Sequence, residues 1–398
     1  MLNEIILGDV LDVLDKYSEK SVHTCVTSPP YYALRDYGIA PTSWPEVTFT
    51  IFGFPVTIPA EVCCLGLEKT PMAFIGHMVH VFRKVKRVLR DDGTCWLNMG
   101  DSYASNSKDR TEEQAVAKST LKGGLHTQMA SMKQQSKVTS GLKTKDLIGI
   151  PWMLAFALRD DGWYLRSDII WYKRNPMPES VTDRPTKAHE YIFLLSKSEK
   201  YYYDHIAIRT LAKESSMARW DQDVESQTGS SRVPGKTNGN MKAVGGPMKR
   251  DKQRGHSRRH AGFNDRWDQM SKADQMSMGA NKRTVWDIPT KPFKDAHFAV
   301  FPEDIPATCI KAGSSQMCCA ECGSPFERDE DDKAKWIKSC NCTGHQTKPC
   351  VVLDPFAGSG TTALQAKSLG RYYYAIEKNS EYRNIALNRL QSKLGIFK

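Results

Sequence analysis

The segment VVLDPFAGSGTTALQAKSLGRYYYAIEKN, residues 351–379, combines an apolar run, a glycine turn, a helical pattern and a second apolar run ending at Glu377. Gly358 and Gly360 permit a tight turn and close approach of the backbone to a ligand. In nucleotide-binding βαβ units, an acid about twenty residues beyond such a turn bonds ribose hydroxyls. The segment therefore predicts a strand–turn–helix–strand unit that holds a nucleoside-containing cofactor. A purely structural βα turn is the alternative.

An aspartate, Asp354, opens this turn, and the turn lacks the lysine of a phosphate-binding P-loop. A carboxylate at that place would repel a pyrophosphate, whereas it suits a cofactor with a cationic or zwitterionic end. S-adenosylmethionine carries both an α-ammonium and a sulfonium group. The residues therefore favour S-adenosylmethionine as the cofactor.

A second motif, TSPPYY at residues 27–32, follows the apolar run SVHTCVT. The two prolines end the strand, because each lacks a backbone donor and fixes its φ. The Ser28 hydroxyl and the Pro29 carbonyl are acceptors suited to the hydrogens of an amino group, and Tyr31 offers a face for stacking. The motif predicts a site that activates the exocyclic amine of a nucleobase. A proline-terminated strand with ordinary core tyrosines is the alternative.

Apolar runs typical of strands alternate with helically spaced apolar residues along the rest of the chain. This alternation indicates a mainly parallel sheet with helices on both faces. The predicted elements are a strand ending at Gly8-Asp9 and followed by a helix, a strand over 21–28, a helix over 74–93 that stops at Gly93, a strand over 94–100, a helix, a turn at Gly162 and a strand within 150–178, and a strand over 189–198.

The chain has 398 residues and a formal net charge of +11, which favours a polyanionic partner such as nucleic acid over a merely solvated basic surface. No run of eighteen apolar residues occurs, so we expect no membrane span. The N-terminal residues do not resemble a signal peptide, so we expect a cytoplasmic protein. The eleven cysteines then indicate metal binding or buried thiols rather than a disulfide framework.

Two polar stretches interrupt the alternation of strands and helices. We expect a mobile loop over 102–145, which has few large apolar residues. Residues 205–290 are more basic, and aromatic residues flank their most basic part, which favours nucleic-acid contact over a solvated segment. Against the single acid Asp251, that part contains Arg232, Lys236, Lys242, Lys249, Arg250, Lys252, Arg254, Arg258 and Arg259.

A cysteine-rich stretch lies within residues 316–346. It holds Cys319-x-x-Cys322 and, about twenty residues later, Cys340-x-Cys342. Two close cysteine pairs suit a tetrahedral thiolate zinc site, and Gly323 supplies the turn after the first pair. Cys318 and His345 are alternative ligands, and reduced free thiols are the alternative interpretation.

The two motifs together resemble the amino-methylating DNA methyltransferases, which modify N4 of cytosine or N6 of adenine. TSPPYY is similar to that family's catalytic motif, and DPFAGSGTT is similar to its S-adenosylmethionine turn. WLNMGDSY, DIIWYKRNPMP and HFAVFPEDI also resemble family blocks. The order, with the catalytic motif first and the cofactor turn last, resembles the circularly permuted β group.

The resemblance implies an α/β, Rossmann-like sheet of seven strands, circularly permuted, so that the C-terminal strands are its first and second. The implied regions are a catalytic half (1–204), a target-recognition region (205–290) and a cofactor-binding half (291–398). The implied residues are Ser28, Pro29, Pro30 and Tyr31 for catalysis; Asp9, Phe301, Pro302, Asp354, Phe356, Gly358, Gly360, Thr361 and Glu377 for the cofactor; Tyr32, Trp171 and Asn175 for the base; and Arg232, Lys236, Lys249, Arg250, Arg254, Arg258 and Arg259 for DNA.

The substrate implied by the resemblance is double-stranded DNA with a flipped base, and a cognate restriction endonuclease is an expected partner. Serine at the first motif position is similar to the N4-cytosine members, and N6-adenine remains the alternative. A C5-cytosine enzyme is excluded, because Cys25 precedes the motif and Cys350 directly precedes the cofactor strand. An RNA or protein amide methyltransferase and a non-catalytic nucleic-acid-binding protein remain the other interpretations.

Overall fold

The computed structural model describes residues 2–33, 38–104, 142–176, 178–210, 279–290, 301–329 and 332–394. The chain divides into two compact units, one of residues 1–204 with 283–398 and one of residues 205–282. The described part of the second unit includes a short 3-10 helix, Ile206–Ile208, and a bridge between Thr210 and Ala280. The elements that follow belong to the first unit.

The first unit consists of strands and helices that alternate along much of the chain. In chain order the strands are β1 (Glu4–Leu7), β2 (Val22–Thr27), β3 (Thr42–Trp44), β4 (Val47–Ile51), β5 (Phe54–Ile58), β6 (Glu61–Cys63), β7 (Leu89–Met99), β8 (Tyr164–Tyr172), β9 (His189–Ser196), β10 (Val285–Asp287), β11 (Cys318–Cys319), β12 (Glu327–Arg328), β13 (Trp336–Ile337), β14 (Thr347–Lys348), β15 (Val351–Asp354) and β16 (Tyr372–Glu377). The helices are α1 (Val10–Asp15), α2 (Pro71–Val88), α3 (Ile150–Asp160), α4 (Asp304–Gly313), α5 (Thr361–Ser368) and α6 (Ser380–Leu394).

Eight of these strands form the central sheet, in the order β1-β16-β15-β2-β7-β9-β8-β10. The pairings are parallel except those of β9, which is antiparallel to both β7 and β8. The two strands nearest the C-terminus therefore lie between the two nearest the N-terminus. This arrangement places the ends of β2 and β15 side by side.

Helices cover the middle of the sheet in two groups. Helix α2 contacts both α1 and α3, and α5 contacts both α4 and α6. All six residues of β2 are buried, as expected for a parallel strand covered on both faces. Helix α2 begins where the Thr70 hydroxyl accepts a hydrogen bond from the Ala73 amide at 3.1 Å, and Pro71 takes the first helical position.

The structure differs from the sequence-based expectations in three places. Helix α2 ends at Val88, and Gly93 lies inside β7 rather than stopping a helix. Position 93 needs a glycine because a Cβ there would lie 2.5 Å from Leu89 Cγ. The sheet has eight strands instead of the seven expected, because β10 pairs with the outer edge of β8. The strand pairs β3–β6 and β4–β5 were not anticipated.

Two polar stretches fall largely outside the described residues. Of the expected loop over 102–145, residues 105–141 are not described, and Ala104 forms backbone hydrogen bonds with Lys145 and with Asp146 just beyond the stretch. Of the basic stretch over 205–290, residues 211–278 are not described, and β10 at its end belongs to the central sheet.

No helix in the described portion of the chain is long and apolar enough to cross a membrane.

Gly313 at the end of α4 lies directly against the sheet. A Cβ at this position would lie 2.5 Å from Thr94 Oγ1, 2.6 Å from Thr24 Oγ1 and 2.8 Å from Trp96 Nε1. We expect Gly313→Ala to lower the free energy of unfolding by about 1–3 kcal/mol, because buried side chains must shift. Thermal unfolding measures this effect, and Lys311→Ala on the exposed side of α4 is the control. An unchanged midpoint for Gly313→Ala would contradict the close packing.

Candidate active site

A cavity of about 320 Å³ opens at the carboxyl ends of the central strands. Gly8 and Asp9 line it after β1, residues 28–31 after β2, residues 355–359 after β15, and Glu377 at the end of β16. Parallel strands present their carboxyl ends at one edge of the sheet, where α/β proteins bind ligands. The two motifs, which are far apart in sequence, therefore face the same cavity.

The Glu377 carboxylate accepts hydrogen bonds from backbone amides, including one in the glycine turn after β15. The Gly358 amide donates to Glu377 Oε2 at 2.7 Å, and the Asn379 amide donates to Glu377 Oε1 at 2.7 Å. Gly358 and Gly360 have φ values of +52° and +74°, and a Cβ on Gly360 would lie 2.8 Å from Ala386 Cβ. A carboxylate has about four acceptor sites. Glu377 therefore keeps capacity for ligand hydroxyls while it fixes the turn.

Burial raises the pKa of Glu377, even though its two backbone hydrogen bonds oppose that effect. The side chain lines the cavity next to the glycine turn. A buried, oriented acceptor of this kind can bond the hydroxyls of a nucleoside ribose, which is the role that the sequence predicts for Glu377.

Asp9 lines the same cavity and caps α1. Its Oδ1 accepts from the Leu11 amide at 3.0 Å, and its Oδ2 accepts from Thr42 Oγ1 at 2.6 Å and Lys378 Nζ at 2.7 Å. Burial alone would raise the pKa of Asp9, but the hydrogen bonds from Lys378 and Thr42 outweigh it and the pKa is lowered. The carboxylate is therefore ionised and fixed in place. Lys378 and Thr42 also line the cavity and were missed by the sequence analysis.

The corner after β2 holds Tyr31 in a polar network. The Tyr31 hydroxyl donates to Glu190 Oε2 at 2.7 Å and lies 3.4 Å from Ser28 Oγ. The ring packs on Gly100, where a Cβ would lie 2.6 Å from Tyr31 Cε2. Asn98 also donates to Glu190 Oε2, at 3.0 Å. The ring and hydroxyl of Tyr31 are therefore fixed without a ligand.

Lys173 and Glu190 form an ion pair that lines the cavity, and Glu190 also accepts the hydrogen bond from Tyr31. Lys173 follows β8, and Glu190 lies at the start of β9, which runs antiparallel to its neighbours. The start of β9 therefore meets the carboxyl ends of the parallel strands. The sequence does not predict this pair, since nothing in HEYIFLLS shows the direction of β9, which brings Glu190 to Lys173.

Asp354 lies behind the turn rather than in the cavity wall. It is 2% exposed, and its Oδ1 accepts from Thr27 Oγ1 at 2.8 Å and from the Phe356 amide at 3.1 Å. Burial raises its pKa to about 6, against the lowering effect of these hydrogen bonds. Asp354 thus joins β2 to the turn and does not line the cavity, where the sequence had predicted it beside the cationic end of the cofactor.

Most of the other residues predicted for the cofactor and for catalysis line the cavity. Phe301, Phe356 and Thr361 line the cavity together with Pro29 and Pro30. Pro302 neighbours Phe301, and its carbonyl accepts from the Ile305 amide at 3.1 Å.

The structure does not bring the three predicted base-pocket residues to the cavity. Tyr32 is buried and contacts Phe74, Trp171 donates to the Ile288 carbonyl, and Asn175 exchanges hydrogen bonds with Thr290. The predicted DNA-binding residues lie outside the described residues. They are Arg232, Lys236, Lys249, Arg250, Arg254, Arg258 and Arg259.

The predicted cysteine ligands converge away from the cavity. One ligand atom from each of Cys319, Cys322, Cys340 and Cys342 lies within 4.8 Å of the others. The Gly323 amide donates to the Cys319 carbonyl at 2.9 Å, and Gly323 has a φ of +73°. The first pair therefore sits on the tight turn expected for a thiolate metal site.

Comparisons with known proteins agree with this geometry. The N6/N4 methyltransferase family model, described as DNA methylase, matches residues 22–388. Two type II methyltransferases, M.Cfr9I of Citrobacter freundii and M.SmaI of Serratia marcescens, are 36% and 34% identical over 389 and 387 residues. Each alignment covers 97% of this chain, and the alignments cover 87% and 90% of the two relatives. The chain therefore belongs to the N6/N4 family of DNA methylases, which confirms the resemblance.

A solved structure shows the same fold. The PvuII DNA methyltransferase, described as cytosine-N4-specific, aligns with a TM-score of 0.50 and 14% identity, over 97% of this chain and 85% of that one. At this identity the likeness shows the fold alone.

The raised pKa of Asp354 predicts a pH-dependent stability. A carboxyl group with a raised folded-state pKa stabilises the fold below its ordinary pKa of 3.8, and that contribution is lost as pH rises through about 6. Asp354→Asn keeps an acceptor for Thr27 and removes the titration. From pH 4 to pH 7 we expect the unfolding free energy of this variant to gain about 2–3 kcal/mol relative to wild type. Urea unfolding across that range measures it, and a pH-independent difference would contradict the assignment.

Proposed function

We propose that this enzyme transfers a methyl group from S-adenosylmethionine to the exocyclic amino group of a flipped base in double-stranded DNA, and that the base is cytosine, methylated at N4. The observation that carries the proposal is the shared cavity, in which residues 28–31 face the glycine turn at Gly358. Serine at the first position of the catalytic motif supports cytosine. N6-adenine is the second candidate, because adenine also presents an amino group next to a ring-nitrogen acceptor.

The cavity fits the proposed cofactor. Its volume of about 320 Å³ lies within the range of small-molecule pockets, which is about 300–1,000 Å³. Glu377 provides acceptors for the ribose, Phe356 and Phe301 provide apolar surface, and Asp9 provides an acceptor for the adenine amine. S-adenosylmethionine supplies an electrophilic methyl group on its sulfonium.

The catalytic corner acts by positioning the amine. The lone pair of an exocyclic amino nitrogen is delocalised into the base, so the corner must favour a tetrahedral nitrogen. Ser28 Oγ and the Pro29 carbonyl accept the two amino hydrogens, while the ring of Tyr31 stacks on the base. Glu190 orients Tyr31 before the base arrives. Direct in-line displacement would form the N–CH3 bond as the S–CH3 bond breaks, with S-adenosylhomocysteine as the leaving group and one amino proton released to solvent, and it requires no covalent enzyme intermediate.

Lys173 supports recognition of the base edge. Its ammonium pairs with Glu190, the partner of Tyr31, at the cavity wall and has three donors. The ring nitrogen next to the amino group of cytosine is an acceptor, and so is its O2. A lysine at this place therefore complements the edge that adjoins the amine.

The proposed DNA contact rests on charge and on the order of the elements. The net charge of +11 suits the phosphate backbone, and residues 205–290 stand between the two motifs as the proposed target-recognition region. The position of β15 and β16 between β1 and β2 supports a circularly permuted methyltransferase sheet, to which β10 adds an edge strand. A cognate endonuclease remains part of the proposal, in keeping with the type II relatives.

A structural zinc ion at Cys319, Cys322, Cys340 and Cys342 completes the proposal. Two cysteine pairs with ligand atoms this close match a tetrahedral thiolate site. The cluster is separate from the cavity-lining residues, so this zinc would serve the fold and take no part in methyl transfer.

The methylated product tests the proposed function directly. We expect DNA from cells that express the protein to contain N4-methylcytosine at a defined sequence, read by a sequencing method that distinguishes it from N6-methyladenine. N6-methyladenine would select the second candidate. Methylation of RNA or protein instead of DNA, by the purified enzyme with radiolabelled S-adenosylmethionine, would overturn the proposal.

Substitutions at the catalytic corner separate chemistry from cofactor binding. We expect Ser28→Ala and Tyr31→Ala to abolish methyl transfer, while cofactor affinity measured by calorimetry stays near wild type. Loss of one positioned donor or acceptor costs roughly 10²–10³ in rate at comparable sites. Ser43→Ala, at an exposed position of β3, is the matched control. Most of the activity surviving in either variant would refute the assignment.

Metal analysis tests the zinc site. We expect about one equivalent of zinc in the purified protein, because four thiolates form a complete coordination sphere. Cys340→Ser should lose most of that zinc, whereas Cys64→Ser, outside the cluster, should retain it. Less than about a tenth of an equivalent in the wild-type protein would exclude the zinc site.

A further inference from the structure

The cysteine insert docks on the central sheet through carbonyl groups of its first metal-binding turn. The Cys322 carbonyl accepts from Arg90 Nη1 at 2.9 Å, and the Gly323 carbonyl lies 2.8 Å from His23 Nε2. Arg90 belongs to β7 and His23 to β2. The turn that would hold the metal is therefore hydrogen-bonded to two neighbouring strands of the catalytic sheet.

His23 is a bridge rather than a metal ligand. Its Nδ1 accepts from the Val351 amide at 3.0 Å, and a backbone N–H can only donate. With Nδ1 unprotonated, the hydrogen of the neutral ring is on Nε2, which donates to the Gly323 carbonyl. Cys318 and Cys350 lie near the ring, but both of its nitrogens are already used. At 5% exposure, the side chain is well shielded from water.

The two strands joined by His23 are those that carry the two motifs. Residue 23 lies near the start of β2, which leads to Ser28, and Val351 begins β15, which leads to the glycine turn. The strands pair in parallel, with Thr24 opposite Val352 and Cys25 opposite Leu353. At their far ends Thr27 Oγ1 donates to Asp354. The pair is thus bonded at both ends by side chains, with the cysteine insert attached at the end remote from the cavity.

We propose that the zinc-bound insert, acting through the Gly323 carbonyl and His23, fixes β2 against β15 and so holds Ser28 in place relative to the cofactor turn. His23 is a positioning residue, since it touches neither cofactor nor base. Zinc holds the turn that presents the Gly323 carbonyl, and the carbonyl orients the imidazole toward the Val351 amide. The inference rests on the zinc site and the methyl transfer proposed above.

The test compares His23→Phe with His23→Gln in the full-length protein. Phenylalanine fills the space and removes both hydrogen bonds, whereas the glutamine amide can accept from Val351 and donate to Gly323. We expect His23→Phe to lower kcat about tenfold, in line with the loss of one or two buried hydrogen bonds, and to leave cofactor affinity within about twofold. We expect His23→Gln to restore most of kcat.

Two readouts do not depend on activity. Amide hydrogen exchange in peptides covering residues 22–28 and 350–354 should rise about tenfold in His23→Phe, and zinc release to a chelator should be faster by a similar factor. Leu158→Ala, a core variant in α3, should lower the thermal midpoint without changing zinc release, and it should raise exchange at these peptides no more than at peptides from other core strands. Removing zinc from the wild-type protein should reproduce the exchange change, and this comparison stands even if His23→Phe does not fold.

Each outcome decides a separate point. Wild-type exchange and kcat in His23→Phe would overturn the positioning role, as would an equal fall in kcat in Leu158→Ala. Absence of zinc from the active wild-type enzyme would remove the metal from the inference. The wild-type protein could prove inactive while containing normal zinc, with exchange still altered in His23→Phe. That result would contradict the proposed function and still support the role of His23 in fixing β2 against β15.

Discussion

The parallel pairing of β2 with β15 is the constraint on which the site depends. Thr27 and Asp354 are 327 positions apart, yet their side chains are joined by a 2.8 Å hydrogen bond at the end of this pair. The entropic cost of closing a loop grows only slowly with its length, and the burial of both strands offsets this cost. The pairing places the corner at Ser28 beside the turn at Gly358. Without it, each motif would be an isolated strand end with no common cavity.

Around this pair, the polar groups of the cavity are held by the protein itself. Glu377 is fixed by two backbone amides, Asp9 by Lys378 and Thr42, and Tyr31 by Glu190. Groups that are oriented before the ligand binds need no reorganisation during the reaction, and this is the main source of electrostatic catalysis. The buried carboxylates carry a stability cost, which the raised pKa of Asp354 shows most clearly.

The sequence predicted the parts of the site that are local in the chain. Gly358, Glu377 and Ser28 lie in motifs whose strand and turn patterns are visible within thirty residues, and all three line the cavity. Lys173 and Glu190 escaped notice, because their meeting depends on the antiparallel direction of β9. The sequence does not predict the strand pairs within residues 42–63, because short strands give weak patterns. Its prediction of a helix stop at Gly93 is wrong, because this glycine serves close packing on Leu89 within β7.

A structure of the enzyme bound to S-adenosylhomocysteine and a DNA duplex tests the central claim most directly. The account predicts a base flipped out of the duplex, with its amino nitrogen about 3 Å from Ser28 Oγ and facing the cofactor sulfur across the cavity. Tyr31 should lie against the base, and Glu377 should contact the ribose. A cofactor bound elsewhere, or a base that remains stacked away from Ser28, would contradict the account.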